Sequence, residues 1–144
     1  MVTSGKPSKL VKPTLDTEFA IDYDWWERES QDLRTYLLSH IPPEQRDYLM
    51  QNEVDVKVDY IDPDTGEVFQ LDALQLAIKQ AAEQPNFINP QTSLVDSVFR
   101  VFLANNNTPR TPRQLGEKTG RDPLTILKTL GGIRVYKGIR PTNL

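Results

Sequence analysis

The chain has 144 residues, a formal charge of −3 and no cysteine, which excludes disulfides, thiolate zinc sites and cysteine nucleophiles together. Its length allows one domain or two small ones, and a charged fraction of 26% against 38% hydrophobic matches a globular protein. No apolar run reaches membrane-spanning length, and the opening "MVTSGKPSKLVKPTL" lacks the apolar segment of a signal peptide. The expected location is cytoplasmic, with no membrane partner.

The small net charge conceals a division. Residues 100–144 hold nine basic side chains and two acids, a balance of +7, so residues 1–99 carry −10. Such asymmetry points to polyanion binding by the basic part, or to neutralisation of one half by the other.

Residues 1–16, rich in Lys, Ser, Thr and Pro, read as a disordered tail. Residues 17–84 read as an acidic α+β region. Phe19, Ile21 and Tyr23 alternate with Ala20 and Asp22, as in a short strand. Asp24 and Glu27 have capping-box spacing and open one helix running to about Ser39, with Trp26, Leu33 and Leu37 as its stripe. One member of the Trp25–Trp26 pair then faces the core and the other points about 100° away. Pro42-Pro43 stops that helix and starts the next.

In "VDVKVDYIDPDTGEVFQLD" the period changes to two. Val54, Val56, Val58 and Tyr60 form one face of a strand with a wet opposite face, "DPDTG" makes the turn, and "EVFQL" returns. Asp62, Asp64 and Glu67 invite a calcium reading, but Pro63 and Ala73 stand where an EF-hand loop forbids them, and turn chemistry is the better match. Leu74, Ile78 and Ala81 recur at helical spacing. Pro85 and Pro90 mark residues 85–92 as a linker.

Residues 93–140 read as three helices and a basic hairpin. Ser93 caps the first, where Leu94, Val98 and Phe102 align beside Val95, Phe99 and Leu103, and "NNNTP" ends it. The second runs from Pro112 to Thr119 and stops at Gly120. The third starts at Asp122, with Pro123 at its first position, and stops at Gly131-Gly132. Arg134–Tyr136 and Ile139–Arg140 flank a Lys-Gly turn. His40, the only histidine, has no cysteine to join it in a zinc site. No glycine-rich phosphate loop occurs, and the acids are too dispersed to nominate a hydrolase pair.

The stretch "PRQLGEKTGRDPLTILKTLGG" (112–132), with Leu115 and Gly116 where two helices cross, resembles the winged helix-turn-helix of bacterial transcription regulators. The resemblance implies an α+β protein: an acidic α+β N-terminal region followed by a three-helix winged helix-turn-helix. It implies a non-enzymatic DNA-binding protein, a transcriptional regulator or nucleoid-associated factor, with no cofactor and no metal. The helix 122–130 would enter the major groove. The residues it nominates for DNA are Arg113, Arg121, Thr125, Lys128, Thr129, Arg134, Lys137 and Arg140. The acidic region would engage another protein or a second copy. The alternative is an adaptor subunit of a larger assembly, gripping protein through the same fold.

Overall fold

The computed structural model describes residues 12–52 and 57–142. Among them are seven helices and two antiparallel two-stranded sheets, a mixed α+β architecture. The chain divides into two compact units. One is discontinuous, joining Met1–Gln31 to Ile88–Leu144, and the other, Asp32–Phe87, is inserted between its halves. We call them the terminal and inserted units. Across this division the charge segregation keeps its sign but is smaller than along the sequence. The inserted unit has eleven acids and four cations (−7), and the terminal unit has nine acids and thirteen cations (+4).

In the terminal unit, β1 (Phe19–Ile21) pairs antiparallel with β4 (Ile139–Pro141), Ile21 opposite Ile139. Its period-two pattern buries Phe19 and Ile21, as alternation on a strand with one covered face requires. The other edge of β1 is also occupied. Phe19 exchanges both backbone hydrogen bonds with Arg110, at 2.8 and 3.0 Å. The Asn107 side chain then takes the place of a neighbouring strand: its Oδ1 accepts from the Ile21 amide at 2.8 Å and its Nδ2 donates to the Ile21 carbonyl at 2.9 Å. Residues 17–21, which sequence pattern places in the acidic region, thus complete the sheet of the basic one.

Asp22 caps α1 (Tyr23–Arg28), accepting from the Asp24 amide. The helix begins two residues before the Asp24 capping box expected from sequence, and it is short. Ser30 adopts φ +53° and Asp32 caps a new helix, α2 (Leu33–Leu38), through Thr35. The single helix expected from Asp24 to Ser39 is therefore two helices in different units, and its Trp26–Leu33–Leu37 stripe does not exist. A left-handed residue followed by a strong N-cap breaks the hydrogen-bond ladder that the stripe presupposes.

Three further helices build the remainder of the terminal unit: α5 (Leu94–Ala104), α6 (Pro112–Thr119) and α7 (Pro123–Leu130). Val98, Phe99, Val101 and Phe102 of α5 are buried, as are Leu115, Ile126, Leu130 and Ile139. Ser93 accepts from the Asp96 amide, so the expected cap of α5 is present. A full capping box, Thr111 with Gln114, opens α6, and Gly120 closes it at φ +71°. Gly116 sits at the α6–α7 crossing, where a Cβ would lie 2.8 Å from the Arg121 carbonyl oxygen and 2.9 Å from Pro123 Cγ. Any side chain there would push the helices apart.

In the inserted unit, α3 (Pro43–Gln51) starts at its proline and buries Leu49. The Leu49 carbonyl accepts from Arg34 of α2 at 3.2 Å. His40 follows α2 and is buried, its ring edge-on to Tyr36 at 4.6 Å. Strands β2 (Val58–Ile61) and β3 (Val68–Leu71) pair as a hairpin. Asp62 Oδ1 accepts from the amides of Asp64 and Thr65, and Gly66 takes φ +74°. That carboxylate is consumed in turn geometry. Of the expected covered face, Val58 is exposed and Tyr60 is half-buried, opposite Leu71 and Phe69 respectively, while Ile61 and Val68 on the other face are exposed. Of the two strands only Leu71 is buried. The expected strand positions Val54 and Val56 lie outside the described residues, as does the tail before residue 12. Asp72 and Gln75 form a capping box at α4 (Ala73–Ala82), whose Leu74, Ala77, Ile78 and Ala81 are buried at the expected spacing.

Candidate nucleic-acid interface

The nominated side chains fall into two groups within the terminal unit. The first lies on α7. Asp122 Oδ2 accepts from the amide and hydroxyl of Thr125 at 3.3 and 3.0 Å, fixing the start of the helix. Ile126 and Leu130 face inward and are buried, which leaves Leu124, Thr125 and Lys128 exposed on the outer side. Thr129 is half-buried, and its hydroxyl donates back to the Thr125 carbonyl at 2.9 Å. The helix thus offers an apolar side chain, a hydroxyl and a cation within its first two turns.

The second group lies in and around the C-terminal turn. Lys137 and Gly138 both have positive φ, +55° and +77°, the pair of left-handed residues that a tight type I′ hairpin needs. The turn closes with the Ile139 amide donating to the Tyr136 carbonyl at 3.0 Å. It is tied down from β1 and α1: the Asp22 amide donates to the Gly138 carbonyl at 2.7 Å, and Trp26 Nε1 to the Lys137 carbonyl at 3.1 Å. Trp26 is the buried tryptophan of the pair and Trp25 is half-exposed. A Cβ on Gly138 would meet both the Asp22 carbonyl and Trp26 Nε1, at 2.8 and 2.9 Å. Glycine is required there by conformation and by space.

Several nominated cations already have partners. Arg113 pairs with Asp16 at 3.0 Å. Arg140 and Arg28 share one oxygen of Asp22, each at 3.0 Å. The hydrogen bonds from these arginines hold the Asp22 carboxyl below the usual range of an aspartate, Arg28 contributing most and burial opposing. Arg121 reaches back along the chain, where its guanidinium donates to the carbonyls of Thr92 and Pro90. It braces the segment before α5 against the α6–α7 turn. Arg134 lies over the Tyr136 ring, 5.0 Å from its centroid, and Lys137 Nζ stands 6.0 Å from the centroid of Trp26.

No family model, curated protein or solved structure matches the chain. What this region can do follows from its own chemistry.

Asp22, Trp26 and Asn107 were not among the nominated residues, yet they position the turn and the strand beside it. Asp22 follows a strand and precedes an apolar helix face, and that is a cap signal in the sequence. Nothing local marks Asn107 as a strand substitute. Among the described residues no group of three or more His, Asp or Glu side chains is placed to hold a metal ion. No helix among them is long and apolar enough to cross a membrane.

Proposed function

We propose that the terminal unit is a winged helix-turn-helix DNA-binding module. In this reading α7 enters the major groove and the Lys137-Gly138 turn serves as the wing. The observation that carries it is the outer side of α7. Thr125 and Lys128 are exposed on a helix whose inner side is locked to the core through Ile126 and Leu130 and whose approach to α6 depends on Gly116. A hydroxyl and an ammonium near the start of a presented helix are suited to base edges and phosphates. Lys118 on α6, also exposed, suits backbone contact.

The partnered cations change what each nominated residue does. Arg113 and Arg140 approach phosphate only in competition with Asp16 and Asp22, and Arg121 acts as a brace. Phosphate contact falls mainly to Lys118, Lys128, Arg134 and Lys137. The module would be a regulator or nucleoid-associated factor without catalytic chemistry of its own.

A protein partner for the acidic region is a separate reading, favoured by a different observation. The inserted unit exposes Tyr48, Met50, Ile61 and Val68, large apolar side chains of the kind a protein partner covers. The terminal unit would then meet DNA and the inserted unit a protein. The test is polarisation of a fluorescent duplex by the full chain and by Thr125→Ala/Lys128→Ala. Both positions are exposed and Thr125→Ala keeps the amide bond to Asp122, and a thermal melt of the variant checks that it folds. Loss of about tenfold or more in duplex affinity supports the α7 reading, and unchanged affinity removes it.

A further inference from the structure

A groove of about 580 Å³ opens in the terminal unit between α1 and the C-terminal turn. Trp25 and Arg28 line one wall, and Arg134, Tyr136, Lys137 and Arg140 line the other. These six residues supply four cations and two aromatic rings. Glu29 is the one acid among the lining residues.

The cations converge for a structural reason. Asp22 stands behind Arg28 and Arg140 and takes one hydrogen bond from each on the same oxygen. Two guanidiniums from distant parts of the chain are thereby drawn together around a single negative charge. Each guanidinium carries five donors, so most remain for a ligand, and the two side chains keep 51% and 34% of their surface exposed. The aromatic surfaces are equally fixed. Trp25 stands perpendicular to the buried Trp26 at 5.3 Å, while Tyr136 lies under the Arg134 guanidinium. The turn itself is held by the Trp26–Lys137 and Asp22–Gly138 hydrogen bonds. The groove is built before any ligand arrives, which reduces the ordering cost of binding.

Its chemistry narrows the ligand. A bare anion would use the cations and leave the rings idle, and an acidic peptide would do nearly the same. A ligand with a flat π-face and a phosphate uses both, because bases stack on aromatic rings while phosphates take charge-assisted hydrogen bonds from arginine. Glu29 supplies an acceptor for an exocyclic amino group. The volume lies within the range of small-molecule sites.

We propose that this groove binds a nucleotide through base stacking on Trp25 and phosphate contact with Arg28, Lys137 and Arg134, the last held over the Tyr136 ring. The nucleotide is either an unstacked residue of a single strand or a free nucleoside phosphate. The site shares Arg134 and Lys137 with the proposed wing but does not use α7, so Thr125→Ala/Lys128→Ala, which tests the duplex reading, should leave nucleotide affinity unchanged.

The experiment titrates the full chain with inorganic phosphate, ATP and an oligo-dA octamer in parallel. It reads tryptophan fluorescence, with isothermal calorimetry as the second measure. Expected is quenching by ATP or the octamer, with affinity at least about tenfold above that for phosphate, the contribution of one stacked base. Tighter binding of ATP assigns the site to a free nucleotide, and tighter binding of the octamer assigns it to a strand. Trp25→Ala should weaken that ligand about tenfold. Arg134 is exposed, so Arg134→Gln tests the same groove without touching the core and should weaken it several-fold. The proposal is overturned if neither nucleotide probe binds, if phosphate binds as tightly as both, or if Arg134→Gln leaves nucleotide affinity unchanged.

Discussion

The indole of Trp26 donates to the backbone carbonyl of Lys137 at 3.1 Å across 111 positions of sequence. The bond joins the start of the described chain to its end and fixes the turn that carries the C-terminal cations. Trp26→Phe keeps a ring in the core but leaves that carbonyl without its donor. We expect a loss of about 1–3 kcal/mol in unfolding free energy, measured by chemical denaturation. An unchanged midpoint would mean that the bond contributes nothing to holding the turn.

The α6–α7 crossing depends on Gly116. An added Cβ would meet the Arg121 carbonyl at 2.8 Å, and backbone cannot swing aside as a flexible side chain can. Gly116→Ala should therefore destabilise the chain by about 1–3 kcal/mol despite the better helix propensity of alanine. Gly120→Ala forces a side chain into the left-handed region at φ +71° and should cost about 1 kcal/mol. Thermal melts of both variants check the expected order, with the crossing glycine the more sensitive. A stabilised Gly116→Ala would show that the helices do not pack this closely.

Asn107 substitutes for a strand, satisfying both backbone groups of Ile21. In Asn107→Asp the acceptor survives and the donor to the Ile21 carbonyl is lost. Asn107→Ala loses both and exchanges a left-handed asparagine, φ +57°, for a residue that tolerates this conformation poorly. The expected order of stability is wild type, then Asp, then Ala, with Ala lower by about 2 kcal/mol or more. Hydrogen exchange at the Ile21 amide reads the effect locally, and unchanged protection in Ala would refute it.

Asp22 gives the terminal unit a defined acid response. Its carboxyl is held below 3.8, so the folded state keeps the carboxylate more firmly than the unfolded chain does. The sign follows: the stabilisation is fully present above the unfolded value and disappears as pH falls through the lower, folded one. Asp22→Asn retains a helix cap and removes the charge. Its melting temperature should lie below wild type at neutral pH, and the two should converge as pH falls below about 4. Parallel curves would show that the Arg28 and Arg140 pairings do not contribute.

Local chemistry was readable wherever it is written in neighbouring residues. Gly116 at the crossing, Gly120 at the helix end, Leu74–Ile78–Ala81 on one face and the Lys-Gly turn all follow from short-range pattern. The pairing of β1 with β4 was not readable, because a three-residue strand carries no information about a partner some 120 positions away. The same limit applies to the cations. Nothing near Arg121 in sequence says that it will reach the carbonyl of Thr92, and nothing near Arg140 names Asp22. The break at Ser30 was hidden by apolar residues that continue in helical register on either side of it. A nine-to-two excess of cations is thus a weaker predictor of phosphate contact than it looks, since folding assigns some of those charges first.

That consequence makes the central claim quantitative. The exposed Lys118, Lys128 and Arg134 and the half-buried Lys137 supply the phosphate contacts in the proposed DNA complex. Neutralising about four phosphates makes the logarithm of affinity fall with the logarithm of salt concentration at a slope of about −3.6, or about 100-fold between 50 and 200 mM. The decisive measurement is the polarisation titration of the full chain against a genomic duplex at several salt concentrations. A slope near −3.6 that becomes shallower by about one in Lys128→Ala is the predicted result. Absent binding, or binding indifferent to salt, would contradict a DNA-binding role.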